Sequence, residues 1–125
     1  MKTGTRVVIT KAGDVSAIAT APMQAAEPEE DEVRIKVAYA GINFADLLMR
    51  LGFYRPLPSL PFTPGYELSG VVDALGKGVS HLKIGQRVVA AMRTGGQASF
   101  VNAPKDRVIP LPDGFSLQKA ASTPV

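Results

Sequence analysis

The sequence contains no cysteine, no tryptophan and only one histidine, His81. The absence of cysteine excludes disulfide frameworks, thiol nucleophiles and thiolate metal ligands. A single histidine in the turn-like stretch GVSHLK argues against a histidine-rich metal site and against a Ser-His-Asp triad. We interpret His81 as a surface turn residue and predict that the protein binds no zinc.

Long apolar runs and basic stripes are also missing. The longest apolar runs are only a few residues, too short to cross a bilayer, and the N-terminal MKTGTRVVITKAGD has no apolar core of a secretory signal. Lysine and arginine are scattered and the net charge is only +3, so nothing points to nucleic acid. We therefore expect a cytoplasmic protein that binds neither membrane nor nucleic acid.

No nucleotide-binding loop is present. The two glycine-bearing stretches GKGVSHLKIG and GTRVVIT fit neither the P-loop pattern nor a strand-GxGxxG-helix unit. The sequence itself therefore supplies no phosphate cradle.

What the 125 residues do contain is typical of one globular domain, with 46% hydrophobic and 20% charged residues. Twelve glycines and ten prolines separate short apolar runs, which favours many short strands. The pattern predicts a mainly β fold, a small barrel or sandwich with one or two helical turns. Strands are predicted at residues 5–10, 15–21, 31–40, 66–76, 86–92, 97–103 and 107–112.

Two stretches carry the clearest local signals. DEVRIKVAYA alternates, with Val33, Ile35, Val37 and Tyr39 predicted on one face and Arg34 and Lys36 on the other. GINFADLLMRLG places Phe44, Leu47, Leu48 and Leu51 at helical spacing.

The ends of that short helix are also marked. Asn43 is the predicted N-cap, Asp46 three residues later completes a variant of the capping box, and Gly52 is the predicted stop. A second short helix is predicted to begin after Ser116.

Several polar residues have two interpretations. Asn43 and Asp46 serve as helix caps or as site residues, and Asp46 is also placed to pair with Arg50. Tyr54 either packs on the proline-rich loop or lines a pocket mouth. Glu67, between two glycines in PGYELSG, is either an ion-pair partner or a buried acceptor for backbone N–H groups.

Four motifs together resemble the medium-chain dehydrogenase/reductase superfamily, closest to its zinc-free quinone oxidoreductase branch of zeta-crystallin and the vesicle amine transport protein homologue. They are GINFAD, GFYRPLP, PFTPGYELSGVV and IGQRV, in that order along the chain. The resemblance implies a GroES-like catalytic domain over residues 1–115, a partly open β-barrel. Residues 116–125 would begin the connection to a Rossmann domain.

The resemblance also bears on the metal. Zinc-dependent relatives place a cysteine near the position of Asn43 and a histidine at that of Tyr66, and both are replaced here. The resemblance therefore agrees with the absence of cysteine in predicting no zinc.

The resemblance implies hydride transfer from NADPH to a small-molecule quinone or enone acceptor. It places Asn43 and Tyr54 near the nicotinamide, with Asp46 supporting Asn43. Tyr66 is the candidate catalytic residue, because its hydroxyl would hydrogen-bond a quinone oxygen. Glu67 would be a supporting carboxylate rather than a general base.

The Rossmann domain and the C-terminal return segment of the family are absent from the sequence. We therefore expect the chain alone to form one wall of the active site and to be inactive. The uncovered apolar surface would favour self-association into a homo-oligomer. The alternative is a stand-alone GroES-like binding or scaffold module without catalysis.

Overall fold

The computed structural model describes residues 2–53 and 58–122. Seven strands and two α-helices occupy these ranges, with one-turn 3-10 helices at Val15–Ala17 and Lys105–Arg107. The strands are β1 (Thr3–Ile9), β2 (Ile18–Gln24), β3 (Glu32–Ala40), β4 (Glu67–Leu75), β5 (Arg87–Ala91), β6 (Phe100–Pro104) and β7 (Val108–Pro110). The α-helices are α1 (Phe44–Leu51) and α2 (Leu117–Ala120).

The described strands form two antiparallel sheets. A hairpin pairs β1 with β2, and a five-stranded sheet has the order β6-β3-β4-β5-β7. Isolated bridges join Arg6 to Ala98 and Ile9 to Phe62, so the hairpin closes against the larger sheet. The result is the curled, partly open barrel that the sequence predicts.

The main core is built mostly from residues of the larger sheet. Ile35, Leu68, Val33, Val72 and Val88 are its largest fully buried apolar side chains. These are the β-branched and aliphatic residues expected of strands buried on one face. Leu82, from the link between β4 and β5, completes the cluster.

The prediction of a strand over residues 15–21 was partly wrong. The segment begins with the 3-10 turn at Val15–Ala17, and β2 then runs from Ile18 to Gln24. Asp14 causes the turn, because its carboxylate accepts a hydrogen bond from the N–H of Ser16 at 2.9 Å. A local side-chain hydrogen bond of this kind competes with strand pairing.

The predicted alternation of β3 holds for Val33, Ile35 and Val37, which lie in or against the main core, but not for Tyr39, which is 46% exposed. Arg34, predicted on the opposite face, is also buried. The register with β4 shifts between Arg34 and Ile35 and again between Val37 and Tyr39, and such bulges reorient side chains. Arg34 is accommodated by Asp73, whose Oδ2 lies 2.7 Å from the arginine Nε.

The predicted end of α1 and the predicted start of α2 are confirmed. Gly52 ends α1 in the left-handed conformation with φ of 86°, and Ser116 caps α2 by accepting a hydrogen bond from the N–H of Lys119 at 3.0 Å. His81 is exposed in a bend between β4 and β5. Within the described ranges, the helices are too short to span a membrane.

Candidate active site

The N-terminus of α1 is built on Asn43 and Asp46. Asn43 is the N-cap in extended conformation, and its backbone N–H donates to Asp46 Oδ2 at 2.8 Å. Its carbonyl oxygen accepts the N–H of Asp46 at 3.0 Å. The capping interaction predicted from the sequence is therefore present, with the acidic side chain reaching back to the cap residue.

Asp46 makes a second contact that crosses to another part of the chain. Its Oδ1 accepts a hydrogen bond from the N–H of Gly65 at 3.2 Å. Asp46 is only 5% exposed, and burial raises the pKa of its carboxyl above the ordinary 3.8, partly offset by the hydrogen bonds from Asn43 and Gly65. One buried carboxylate thus joins the start of α1 to the segment that precedes Tyr66.

The segment around Gly65 is fixed from its other side as well. Gly65 has a φ of 124°, and a Cβ there would lie 2.7 Å from the backbone N of Gln97 and 2.8 Å from the Cα of Gly96. The N–H of Gly96 donates to the Gly65 carbonyl at 3.1 Å, and the N–H of Gln97 donates to the Pro64 carbonyl at 2.9 Å. Only glycine fits this conformation and this close approach.

Tyr66 follows directly and is half-buried. Its ring packs against a small second core formed by Ile9, Met49 and Phe62. Its hydroxyl oxygen is buried. The structure therefore places Tyr66 beside the Asp46–Gly65 contact, with its ring in apolar packing.

Glu67 begins β4 and is 3% exposed. Its backbone carbonyl accepts the N–H of Gly41 at 3.0 Å, and its side chain lies against Gly41, two residues before Asn43. Glu67 is therefore also next to the site.

The side-chain amide of Asn43 is unusual. Its Nδ2 is buried, and no hydrogen-bond partner for it is found among the described residues. A buried donor without a partner is costly, and in native proteins such a group often marks a functional position. A cap bond to the helix would use the amide oxygen as acceptor, so the Nδ2 donor is left for another group.

Two cavities meet near this point. The smaller, of about 90 Å³, is lined by Asp46, Leu47, Arg50 and Pro64 among others. The larger, of about 400 Å³, lies between β1, the end of β3 and residues 97–99. Both are lined by Val7, Ile42 and Gln97, so the two cavities adjoin beside the start of α1, and we call them together the groove.

A family model of the alcohol dehydrogenase GroES-like domain matches residues 29–113, which contain every element of this site except β1 and β2. The chain belongs to this family. The predicted membership of the medium-chain dehydrogenase/reductase superfamily, in its quinone oxidoreductase branch, is confirmed by the relatives that follow.

This GroES-like domain is 40% identical over 120 residues to a quinone oxidoreductase of Salmonella typhimurium, covering 95% of the chain and 36% of that protein. It is 42% identical over 94 residues to the synaptic vesicle membrane protein VAT-1 homolog of Danio rerio, covering 75% of the chain and 19% of the relative. The chain thus spans little more than a third of the length of these proteins at most.

Solved structures show the same fold. The human VAT-1 homolog-like protein superimposes with a TM-score of 0.93 and 34% identity, over 96% of this chain and 39% of its own. The Escherichia coli quinone oxidoreductase complexed with NADPH gives a TM-score of 0.86 and 35% identity, over 95% of this chain and 36% of its own. The GroES-like, partly open barrel predicted from the sequence is confirmed.

The exposed surface of the GroES-like domain next to the site is apolar. Ile42, Phe44 and Phe53 are each more than 70% exposed, and Leu47 and Leu51 are partly exposed. The residues of α1 that are buried are Asp46 and Met49. The helical apolar pattern was therefore predicted correctly, but most of it faces outward.

The predicted site residues are distributed as follows. Asn43, Asp46, Tyr66 and Glu67 are brought together around the start of α1 by the contacts described above, whereas Tyr54 lies outside the described residues. Arg50 does not pair with Asp46; its Nε donates to the carbonyl of Gly13 at 3.2 Å.

Sequence reasoning missed Gln97 and the residues of β1, which line the groove. No local motif marks them, because they reach the site through pairing between distant segments. Within the described ranges, three or more acidic or histidine side chains do not cluster in a way that would hold a metal ion.

Proposed function

We propose that this GroES-like domain forms one wall of the active site of an NADPH-dependent, zinc-independent oxidoreductase that reduces quinones or activated alkenes. The observation that supports the proposal is the buried Asn43 Nδ2, which has no partner among the described residues. Asn43 directly follows Ile42, which lines both cavities. The likeness to a quinone oxidoreductase complexed with NADPH, over 95% of the chain, supports NADPH as the ligand that we propose for this donor.

The residues present fit the nicotinamide end of the cofactor. Bound NADPH would supply the hydride, and the protein would supply orientation and a dry site. The Asn43 amide would donate to a carbonyl oxygen of the nicotinamide or of the acceptor, which satisfies its buried N–H group. The phosphates would be held elsewhere, because the sequence has no glycine-rich phosphate turn.

The remaining roles follow from position. Asp46 holds the backbone of Asn43, so the amide is presented in one orientation. Ile42, Phe44 and Leu47 would pack against the planar acceptor and exclude water, which strengthens every polar contact in the site. Tyr54 would line the same wall, as the family resemblance implies.

Tyr66 is proposed as the hydrogen-bond donor to the acceptor oxygen, where negative charge develops. Its ring packs against the small second core and its hydroxyl oxygen is buried, so an acceptor must displace neighbouring side chains to reach it. If Tyr66 is this donor, Tyr66→Phe in the chimera described below lowers kcat by about 10²-fold, the order observed for loss of a single such donor. An unchanged kcat would make Tyr66 a packing residue.

Zinc independence is proposed from the residues at the positions of the zinc ligands. By the family resemblance, Asn43 stands near the position of one zinc ligand and Tyr66 at that of another, and the sequence contains no cysteine. Amide and phenol groups are poor zinc ligands compared with thiolate and imidazole. Activity that survives exhaustive chelation would support this, and activity restored only by added zinc would contradict it.

The function is tested in a chimera. The 125 residues replace the 120-residue segment of the Salmonella typhimurium quinone oxidoreductase that they match, and oxidation of NADPH is followed with a panel of quinones, enones and enoyl thioesters. We expect turnover with at least one of these three classes of acceptor. A chimera that folds and binds NADPH but reduces none of them would favour a binding or scaffold module.

The chain alone is proposed to be inactive, since it would provide one wall only. Steady-state NADPH oxidation with the acceptor that works best in the chimera should show no enzyme-dependent rate for the 125-residue protein. Robust turnover by that protein would contradict the one-wall account.

A further inference from the structure

Asp46 makes more contacts than a helix cap requires. Each of its carboxylate oxygens accepts one backbone N–H, Oδ2 from Asn43 and Oδ1 from Gly65, and these two residues are far apart in the chain. We propose that Asp46 is the positioning residue of this site, which fixes the Gly65–Tyr66 segment relative to Asn43. This inference rests on the proposed function, because it concerns how the same two side chains are held.

The length of the side chain supports this role over simple capping. Glutamate is the usual acidic residue three positions after an N-cap, because it reaches back to the cap N–H easily. Aspartate is one methylene shorter and holds its carboxylate close to the backbone of α1, where Oδ1 lies 3.2 Å from the Gly65 nitrogen. The second contact therefore depends on aspartate in particular.

The Gly65 segment has little freedom to absorb a displacement. On the side away from Asp46 it is hydrogen-bonded to Gly96 and Gln97, with backbone atoms in near contact. Tyr66 is attached to the next peptide and packs against the small second core, to which α1 contributes Met49. A change in the Asp46–Gly65 bond is therefore transmitted to the Tyr66 ring.

The groups around the Asp46 carboxylate are also defined. Asp46 is nearly buried, and Arg50 lines the same small cavity while it donates to the Gly13 carbonyl. The carboxylate is therefore held by backbone N–H groups rather than by an ion pair. Both N–H groups should report its ionisation.

The test uses nuclear magnetic resonance of the 125-residue chain, without cofactor or acceptor. The amide proton shifts of Asn43 and Gly65 are followed with pH in the wild type, in Asp46→Glu and in the matched control Asp113→Glu, which changes an exposed aspartate. Ring resonances of Tyr66 are compared with those of Tyr39, which lies on β3.

We expect both amides to follow one titration in the wild type. In Asp46→Glu the Asn43 amide should still titrate, the Gly65 amide should not, and the Tyr66 ring should shift while the Tyr39 ring does not. Asp113→Glu should leave all of these signals unchanged. Independent behaviour of the two amides in the wild type, or wild-type Gly65 and Tyr66 signals in Asp46→Glu, would overturn the proposal.

Asp46→Asn provides a second test if Asp46→Glu fails to fold. Neither amide should then titrate, and the Gly65 amide should exchange with solvent several-fold faster than in the wild type. Unchanged exchange at Gly65 would overturn the proposal. Because no step of this experiment involves hydride transfer, its failure and failure of the proposed function are distinguishable.

Discussion

Gly41 lies directly against the side chain of Glu67. A Cβ built on Gly41 would stand 2.4 Å from Glu67 Oε1 and 2.6 Å from its Cγ. Because Glu67 is 3% exposed and begins β4, its side chain has little room to move away.

Gly41→Ala should therefore destabilise the protein by about 1–3 kcal/mol, the usual cost of overpacking. Chemical unfolding measures this. Gly13→Ala is the matched control, since a Cβ there meets nothing within 4 Å. Equal stabilities of the two variants would show that the Glu67 side chain moves aside at no cost and that its contact with Gly41 does not limit the size of residue 41.

Gly65→Ala should destabilise the protein more than Gly41→Ala does. The positive φ alone costs an alanine about 1–2 kcal/mol, and the added Cβ would also collide with backbone atoms of Gly96 and Gln97. Gly85→Ala separates the two effects, because Gly85 has a φ of 89° with nothing near its Cβ. We expect Gly65→Ala to lose clearly more unfolding free energy than Gly85→Ala; a difference within error would contradict the close approach described here.

The pair of Arg34 and Asp73 should make stability depend on pH. Burial raises the pKa of Asp73, but hydrogen bonds and charge from Lys2 and Arg34 outweigh it, so the pKa lies below the ordinary 3.8. The stabilisation is therefore complete above this ordinary value and is lost as pH falls through the lowered pKa of the folded state.

Asp73→Asn removes the buried carboxylate partner of the largely buried Arg34 and leaves it only the exposed Glu27, whose Oε1 lies 3.5 Å from the arginine Nη1. We expect a loss of about 3 kcal/mol at neutral pH, which shrinks on acidification. Urea unfolding across pH measures both, with the exposed Asp106→Asn as control. A constant difference between wild type and Asp73→Asn down to strong acid would contradict this assignment.

Asp46 should show the opposite pH dependence. Since burial raises the pKa of its carboxyl in the folded protein, its favourable contribution exists below the ordinary value of 3.8 and is lost as pH rises through the raised pKa. The unfolding free energy of the wild type relative to Asp46→Asn should therefore fall with increasing pH. A relative stability that rises with pH would show that the two N–H groups outweigh burial.

Local signals in the sequence predicted the parts of the site that depend on neighbours in the chain. Asn43 as N-cap, Asp46 reaching back to it and Gly52 as helix stop all involve residues within a few positions, and the structure confirms them. The family motifs predicted the barrel as a whole.

Contacts between distant segments could not be predicted in this way. The N–H of Gly65 that binds Asp46 belongs to the backbone, so no residue type signals it. Arg34 is buried because register shifts bring it to Asp73 on β4. The apolar face of α1 was visible in the sequence, but its period does not show whether that face is covered.

The most direct test of the account is the rate of hydride transfer in the chimera with the Salmonella typhimurium quinone oxidoreductase. Single-turnover oxidation of NADPH by an acceptor is compared for the parent chimera, Asn43→Ala and the control Asn102→Ala, which changes a partly exposed asparagine on β6. We predict that Asn43→Ala slows the hydride step by about 10²-fold while the control does not. An Asn43→Ala chimera that folds, binds NADPH and transfers hydride at the parent rate would contradict the central claim.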